Sequence, residues 1–371
     1  MPSAIPKAVL AVGSRAGAKA IPKAIHGGAL WQPRIRRPTD YDSIVAADVN
    51  DAWYPPAPRV LETIAEWSPR VHHSPDTSGH SLREAIARHE RVPLESIRLG
   101  AGSSDLLHHF ISSSVASGDE VLTLNPTYAE YRRVAYLAGA SVRAIDMTRL
   151  DQSKPRLIAL CNPNNPTGNV LPRAELLHIV RTVPRHTLVL VDEAYIDFAP
   201  DESLLRDAPA IENLVVVRTF SKAYALAGLR VGYAVMGERV RDLLDRRGRP
   251  PWPVGLLGLR AAETALEEQS YVRQRVTEFG DLKNALIAGL GVPTLSSATH
   301  YFLVDLEGTG MVASDVIARM SERGIFLRDL QGFYGAGAAR NIERFLRITT
   351  QGPQNNTRIA EAFQDFSKQR T

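Results

Sequence analysis

The sequence predicts an α/β protein with a large domain, built on a mostly parallel central sheet flanked by helices, and a smaller α+β domain. Through the middle of the chain, short apolar runs of strand length alternate with longer amphipathic segments, which is the pattern of βα units. The proline-rich stretch Arg249-Pro-Pro-Trp-Pro253 then precedes a long helical stretch, from about Leu256 to Leu290, and a second set of short strands. The chain has 371 residues, which is enough for two such domains.

The elements follow in order along the chain. The predicted strands of the large domain are Ser96–Leu99, Glu120–Leu124, Arg156–Leu160, Leu188–Val191, Leu214–Arg218 and Gly232–Val235. The predicted helices are Ser81–His89, Ser104–Val115, Tyr128–Ala138 and Arg173–Thr182. In the smaller domain, Tyr301–Leu306, Ile325–Arg328 and Phe345–Thr349 are strand-like and Ala313–Glu322 is helical. We expect an arm (1–47), a large domain (48–255, whose segment 48–75 contributes to the small domain or a dimer interface) and a linking helix with the small domain (256–371).

The charge is nearly balanced overall but unevenly distributed. The chain has 44 Lys and Arg against 40 Asp and Glu, a net charge of +4. This small excess argues against a positive electrostatic potential over the whole surface that would bind nucleic acid. Residues 1–39 carry seven positive charges and no acidic residue. We expect an irregular, flexible or partner-embracing arm, with a transit peptide as the alternative, and globular structure from Pro55 onward. Nucleic-acid binding through the arm is disfavoured, because the arm is too short for a helix-turn-helix.

Cysteine content and hydropathy restrict the cellular setting. The only cysteine, Cys161, cannot form an internal disulfide or a cysteine-based zinc site, so we expect a reducing compartment, the cytoplasm, and no metal. The apolar runs are of strand length, far shorter than the roughly 18 residues of a membrane-spanning helix. The sequence therefore predicts a protein outside the membrane.

Polar residues follow several of the predicted strands, where ligands collect in an open α/β sheet. Gly100-Ala-Gly-Ser-Ser-Asp105 leads into a helix and could bind an anion through backbone N–H groups, or could simply cap the helix. Tyr128 and Asn165 follow the next two strands, and a tyrosine in such a place often only packs. Asp192-Glu-Ala-Tyr195 and Thr219-Phe-Ser-Lys222 follow the fourth and fifth strands. An amine, a carboxylate and a phosphate site together are what pyridoxal phosphate requires.

These motifs and their spacing resemble the class I/II aminotransferases of fold type I, which depend on pyridoxal 5'-phosphate, and especially the histidinol-phosphate aminotransferase branch. The segments that carry the resemblance are Gly102-Ser-Ser-Asp105, Asn162-Pro-Asn-Asn-Pro-Thr-Gly168, Asp192-Glu-Ala-Tyr195 and Ser221-Lys222 with Arg230. The resemblance covers about residues 48 to 350. It implies an α/β fold and a homodimer that acts on a small amino-acid-type substrate.

The resemblance also implies a role for each matching residue. Lys222 would form the Schiff base with the cofactor and carry the proton, and Asp192 would hold the protonated ring nitrogen. Asn165 and Tyr195 would bind the phenolate oxygen, and Tyr128 would stack on the ring. The phosphate would be bound by Ser103, Ser104, Thr219, Ser221 and Arg230. The substrate would be bound by Arg347, Arg328, Tyr54 and Trp53, although Arg347 alone would also suit the polar face of an edge strand.

Two features depart from the branch. Ser74 stands where the branch has a tyrosine that reaches the partner's cofactor phosphate, a contact that His72 or His73 could replace. The loop between Arg328 and Arg347 is long and rich in glycine. Transamination of an amino acid or amino phosphate with a 2-oxo acid is therefore the first hypothesis. Decarboxylation, or another biosynthetic reaction of the same cofactor, is the second.

Overall fold

A computed structural model describes residues 27–149, 154–248, 253–335 and 342–368. Its strands, in chain order, are β1 (Val45–Ala46), β2 (Ile97–Gly100), β3 (Glu120–Thr123), β4 (Ser141–Ala144), β5 (Leu157–Cys161), β6 (Leu188–Asp192), β7 (Leu214–Thr219), β8 (Gly232–Met236), β9 (Tyr301–Asp305), β10 (Ile325–Phe326) and β11 (Phe345–Thr349). Its α-helices are α1 (Pro58–Trp67), α2 (His80–Glu90), α3 (Ser103–Ser114), α4 (Ala129–Leu137), α5 (Arg173–Thr182), α6 (Glu238–Arg247), α7 (Leu256–Glu267), α8 (Gln269–Leu290), α9 (Ala313–Glu322) and α10 (Pro353–Lys368).

The central sheet has seven strands in the order β2-β8-β7-β6-β5-β3-β4. All neighbouring pairs are parallel except the two that involve β8, which runs antiparallel to both β2 and β7. The predicted α/β class and mostly parallel sheet are thus confirmed. The carboxyl ends of β5, β6 and β7 lie side by side, because Cys161 pairs with Asp192 and Asp192 with Val217. This arrangement brings the residues after these strands to one edge of the sheet.

Side chains alternate between the two faces of the sheet, as the two-residue period of a strand requires. On β5, Ile158 and Leu160 join a core that packs against α2, α5 and α7, whereas Leu157 and Ala159 join a second core under α3 and α4. Both faces of the strand are fully buried. That burial explains why the strand reads as a continuous apolar run rather than an alternating one.

A third core lies beside the sheet, around the antiparallel pair β9 and β11 and helices α8 to α10. Strand β1 pairs in parallel with β10, so residues near 45 belong to this part of the molecule. The division of the chain at residues 47 and 255 stays a prediction. Among the described residues, no helix is long and apolar enough to cross a membrane.

The predicted irregular arm needs a correction in its second half. Residues 1–26 lie outside the described residues, but two short 3-10 helices, Gln32–Arg34 and Pro38–Ser43, follow them. Trp31 is 3% exposed, and its Nε1 donates to Asp48 Oδ1 at 3.0 Å. Globular packing therefore begins well before Pro55. The predicted helix from Leu256 to Leu290 is interrupted at Glu268, which separates α7 from α8.

Candidate active site

One half of the predicted anion site lies at the amino end of α3. Gly102 has φ +80°, and the helix begins at Ser103, so the first N–H groups of the helix have no intrahelical acceptor. A Cβ added to Gly232 would lie 2.7 Å from both Gly102 C and Ser103 N. The close approach of β8 to this turn therefore requires glycine, and α3 presents its positive amino end to the cavity, which Ser103 and Ser104 line.

The other half follows β7. Thr219 Oγ1 donates to Ser221 Oγ at 2.9 Å, and Arg230 Nη1 donates to the same Ser221 oxygen at 3.4 Å. Arg230 has φ +54° and contacts Gly102, which joins the two halves. Hydroxyl groups, a guanidinium and a helix amino end thus converge as a phosphate requires.

Lys222 follows this segment and is partly buried. Its Nζ lies 3.2 Å from Asp51 Oδ1. Burial lowers the pKa of Lys222, and the charge of Asp51 opposes this effect. A lysine that loses its proton more readily than usual is suited to attack a carbonyl group.

Asp192 ends β6 and is 3% exposed. Its Oδ2 accepts a hydrogen bond from Tyr131 Oη at 2.6 Å, and its Oδ1 accepts one from Ala194 N at 3.1 Å. Within the described part of the chain Asp192 forms no ion pair, and burial raises its pKa to about 6. A buried carboxylate in this state would be stabilised by a cationic group, such as a protonated pyridine nitrogen.

Tyr195 and Asn165 are buried and each is oriented by a neighbour. Asn50 Nδ2 donates to Tyr195 Oη at 2.9 Å, so the phenolic proton remains available to donate into the cavity. Arg347 Nη1 donates to Asn165 Oδ1 at 2.7 Å, which leaves the amide nitrogen of Asn165 as a donor. The Tyr195 hydroxyl and the Asn165 amide nitrogen are thus two donors that could bind one acceptor oxygen of a ligand.

Arg347 and Arg328 approach the cavity from the smaller set of strands, where their backbones form an antiparallel bridge. Arg347 lies on β11, is 4% exposed, and also donates through Nη2 to the Asp48 carbonyl oxygen at 2.6 Å. Burial lowers its pKa to about 10. Both guanidinium groups lie over the Phe333 ring, at 5.2 Å for Arg328 and 5.6 Å for Arg347. Two buried cations side by side provide a site for an anionic substrate group.

These residues line one cavity of about 260 Å³. The sequence-predicted residues that it brings together are Ser103, Ser104, Tyr128, Asn165, Asp192, Tyr195, Thr219, Ser221, Lys222, Arg230, Arg328 and Arg347. Tyr128 lies with its hydroxyl 3.5 Å from Ser104 Oγ and its ring edge-on to Tyr131. The phosphate cradle, the buried carboxylate and the lysine fit pyridoxal phosphate, since each meets a different part of that molecule.

Trp53 and Tyr54 do not line this cavity. Tyr54 is 4% exposed, packs against Phe279, and donates its hydroxyl proton to the Ala223 carbonyl oxygen at 2.9 Å. Trp53 lines a separate, neighbouring cavity. The structure thus places neither ring in this cavity, and contact of Trp53 and Tyr54 with substrate stays a prediction. Ser74, His72 and His73 are exposed, away from the cavity of their own chain.

Sequence reasoning missed several residues that contact the predicted ones. Asp48, Asn50 and Asp51 orient Arg347, Tyr195 and Lys222 respectively, and Tyr131 and Phe333 contact Asp192 and the two arginines. Asn50 and Asp51 had one signal, because they stand just before Trp53 and Tyr54, which the resemblance placed at the substrate. Tyr131 lies within a helix, and nothing in the local pattern distinguishes it from a core residue.

Comparisons with known proteins identify similar families and relatives. The model of the family "Aminotransferase class I and II" matches residues 44–363. A histidinol-phosphate aminotransferase of Methanosarcina mazei is 31% identical over 87% of this chain and 88% of its own length, and one of Desulfotalea psychrophila is 30% identical over 88% of each.

Solved structures are similar too. Histidinol-phosphate aminotransferase from Sinorhizobium meliloti, in complex with pyridoxal-5'-phosphate, has a TM-score of 0.79 at 26% identity and covers 87% of this chain and 90% of its own. L-threonine-O-3-phosphate decarboxylase from Porphyromonas gingivalis has a TM-score of 0.74 at 25% identity, over 86% of this chain and 99% of its own. The chain belongs to the class I and II aminotransferases, fold type I enzymes that depend on pyridoxal phosphate.

Proposed function

We propose that this enzyme transfers an amino group between an amino phosphate and a 2-oxo acid, with Lys222 as the residue that binds the cofactor covalently. The observation that supports this proposal is the shared cavity, which Lys222 and Asp192 line together with the two buried arginines Arg328 and Arg347. The first pair suits the cofactor, and the second suits the anionic end of a substrate.

The residues divide the chemistry among them. When bound, pyridoxal phosphate supplies a conjugated ring that accepts the electron pair left at the substrate α-carbon. Asp192 would hold a negative charge beside the ring nitrogen, and Tyr195 and Asn165 would donate hydrogen bonds to the phenolate oxygen. Lys222 Nζ would take a proton from the substrate α-carbon and deliver it to C4′ of the cofactor, which its lowered pKa favours.

The two arginines favour a substrate that carries more negative charge than a single carboxylate. One guanidinium is sufficient to bind a carboxylate in a bidentate manner, and Arg347 can do this for the 2-oxo acid. A second guanidinium close by suits the higher charge of a phosphate. The curated relatives are named for histidinol phosphate, and the Porphyromonas gingivalis enzyme for threonine phosphate. Both names support an amino phosphate.

Decarboxylation is the second candidate, because a decarboxylase is among the structural neighbours at 25% identity. The same cavity could serve either reaction, since the bond that breaks is the one held perpendicular to the cofactor ring. The two reactions differ in their products. Transamination consumes a 2-oxo acid, whereas decarboxylation releases carbon dioxide and consumes none.

Absorbance and product analysis test these proposals together. The purified enzyme should be yellow, and borohydride should attach the cofactor to the peptide that contains Lys222, but not in a Lys222→Ala variant. Histidinol phosphate should then react in the presence of 2-oxoglutarate, and histidinol, which lacks the phosphate, should react far more slowly. A protein that incorporates no cofactor would contradict the proposal. Carbon dioxide release from threonine O-3-phosphate, without a requirement for 2-oxo acid, would favour the decarboxylase.

We also propose that the enzyme is a homodimer in the cytoplasm. Leu61 and Val71 lie in the predicted interface segment 48–75 and are 45% and 61% exposed, which supports burial against a partner. The free, buried Cys161 supports a reducing compartment. Light scattering should show twice the chain mass, and Leu61→Glu with Val71→Glu should lower it. Leu137→Glu is the matched control, because Leu137 is 54% exposed on α4, outside that segment. An unchanged mass in the double variant would contradict this interface.

A further inference from the structure

Asn50 is a buried residue whose polar atoms contact three different side chains. It is 5% exposed, and its Nδ2 donates to Tyr195 Oη at 2.9 Å. Its Oδ1 accepts a hydrogen bond from Thr349 Oγ1 at 2.8 Å. Its backbone carbonyl oxygen lies 3.3 Å from His300 Nε2. Asn50 thus links Thr349 and His300 to the hydroxyl group of Tyr195.

Thr349 and His300 lie close together on the smaller set of strands. Thr349 is the last residue of β11, and His300 immediately precedes β9, which pairs with β11. The Thr350 amide donates to the His300 carbonyl oxygen at 2.8 Å, which joins the two strand ends. Both side chains are buried, and neither lines the active-site cavity. Any effect of these residues on a bound cofactor must therefore pass through their neighbours.

The Thr349 hydroxyl favours one of the two orientations of the Asn50 amide. An amide side chain has an oxygen that accepts and a nitrogen that donates, and rotation by half a turn exchanges them. Because Thr349 Oγ1 donates to Oδ1, the Asn50 nitrogen faces Tyr195 Oη. The tyrosine oxygen then accepts from Asn50, and its own proton stays available for a ligand. In the opposite orientation, Asn50 Oδ1 would accept that proton instead.

His300 contacts the backbone of the same asparagine. A carbonyl oxygen only accepts, so His300 Nε2 carries a proton and donates it to Asn50. Burial lowers the pKa of His300 to about 3, so the ring is neutral near neutral pH. The ring stacks on Phe198 with 4.7 Å between centroids, and its centroid lies 5.9 Å from that of Tyr195. Packing against Phe198 thus holds the imidazole beside both Asn50 and Tyr195.

We propose that Thr349 and His300 are positioning residues, which act through Asn50 to keep the proton of Tyr195 directed at the phenolate oxygen of the cofactor. The inference rests on the proposed function, in which Tyr195 donates to that oxygen. A hydrogen bond to the phenolate stabilises its negative charge and lowers the pKa of the nitrogen that joins the cofactor to Lys222. Removing the contact of Thr349 or His300 with Asn50 should therefore raise the pKa of that nitrogen.

The absorbance of the cofactor-loaded enzyme measures this pKa without turnover. The spectrum changes when the nitrogen joined to Lys222 loses its proton, so the midpoint of a pH titration gives its pKa. Thr349→Val keeps the shape of the side chain and removes the hydroxyl group. It should raise the midpoint by roughly half a pH unit, the range of one neutral hydrogen bond. His300→Phe, which keeps a ring and removes the donor, should also raise the midpoint. Thr349→Ser and His300→Gln retain a donor and should stay closer to the wild type.

Two further variants separate positioning from a general loss of stability. Thr187→Val is the matched control, because Thr187 is also 0% exposed and its Oγ1 donates to the Pro155 carbonyl oxygen at 2.6 Å, outside the active-site cavity. It should lower the unfolding free energy and leave the midpoint unchanged. Tyr195→Phe removes the donor itself and should raise the midpoint. In the Tyr195→Phe background, Thr349→Val and His300→Phe should cause no further shift.

Borohydride trapping at Lys222 is measured first on every variant. A wild-type protein without label contradicts the proposed function itself. A labelled wild type whose midpoint does not change in Thr349→Val and His300→Phe contradicts only the role of these two residues, and so does a shift that persists in full in the Tyr195→Phe background. Should one of the two variants fail to fold, an unchanged midpoint in the other is sufficient to overturn the proposal.

Discussion

Asp192 should destabilise the cofactor-free protein, because its charge is buried and forms no ion pair with any residue that the structure describes. Its pKa rises from 3.8 to about 6 through burial, although Tyr131 and the Ala194 amide both donate to it. A difference of about two pKa units corresponds to about 3 kcal/mol of unfolding free energy. Replacing Asp192 by Asn keeps the shape and removes the charge. The cofactor-free variant should therefore be more stable than the wild type near neutral pH, by up to about 3 kcal/mol.

The sign and the pH range follow from the two pKa values. Below about pH 4 the carboxyl group is protonated in both the folded and the unfolded wild type, so Asp192→Asn should not increase the unfolding free energy. Between about pH 4 and pH 6 the unfolded chain loses the proton and the folded protein keeps it, so folding of the wild type becomes less favourable as pH rises. Above about pH 6 the full difference in unfolding free energy between Asp192→Asn and the wild type is present.

Urea unfolding of the cofactor-free proteins, at several pH values from 4 to 8, measures this effect. Asp305→Asn is the matched control with the opposite sign, because two hydrogen bonds from Arg344 lower the pKa of Asp305. That variant should lose stability at neutral pH, and the loss should shrink as pH falls. Bound pyridoxal phosphate should stabilise the wild type more than Asp192→Asn. The reasoning would be refuted if Asp192→Asn were less stable than the wild type at pH 7, or if the difference did not change with pH.

Three further substitutions have definite expected outcomes. Asn50→Ala removes the 2.9 Å hydrogen bond to Tyr195. The kcat should fall about fivefold, the equivalent of about 1 kcal/mol. Unchanged kinetics would contradict the role of Asn50 in orienting Tyr195. Arg218→Met leaves the buried carboxylate of Glu193 without its cation. Urea unfolding should show a loss of about 3 kcal/mol in unfolding free energy, and adding Glu193→Gln should recover part of that loss. No recovery would contradict the pairing of Arg218 with Glu193. Arg347→Lys replaces the planar guanidinium by an ammonium, which cannot bind both oxygens of a carboxylate in the same bidentate manner. The KM for the 2-oxo acid should rise about 30-fold, the equivalent of about 2 kcal/mol, and the cofactor absorbance should not change. Loss of cofactor alone would contradict a role of Arg347 in substrate binding.

The central sheet was predictable because its strands are short apolar runs with clear ends. All six predicted strands of the large domain are present, and their bounds differ from the prediction by one residue or so. Strand β4 was not predicted, because Ser141 to Ala144 lies at the sheet edge and is only partly buried. Helix α6 was missed for a similar reason: seven of its ten residues are charged, and only Val240 and Leu244 are buried.

The residues that suit the cofactor were predictable from position alone, since they follow successive strands of one parallel sheet. Asp192, Asn165 and Lys222 come within a few residues of the ends of β6, β5 and β7. The substrate side was harder, because it depends on contacts between segments far apart in the chain. The resemblance placed Trp53 and Tyr54 at the substrate, whereas Asp48 and Asn50 contact the site residues Arg347 and Tyr195. An aromatic side chain that packs and one that binds look alike in a sequence.

The segment that follows β1 connects the two parts of the site. Asp48 accepts from Arg347 through its carbonyl oxygen, Asn50 donates to Tyr195, and Asp51 pairs with Lys222. Because β1 pairs with β10, this segment is attached to the part of the molecule that carries the arginines, while two of its contacts lie on residues after β6 and β7. A displacement of the smaller set of strands would therefore act on Arg347, Tyr195 and Lys222 together. If these residues have the roles proposed above, substrate binding at Arg347 and the reactivity of Lys222 are physically coupled through the four consecutive residues 48–51.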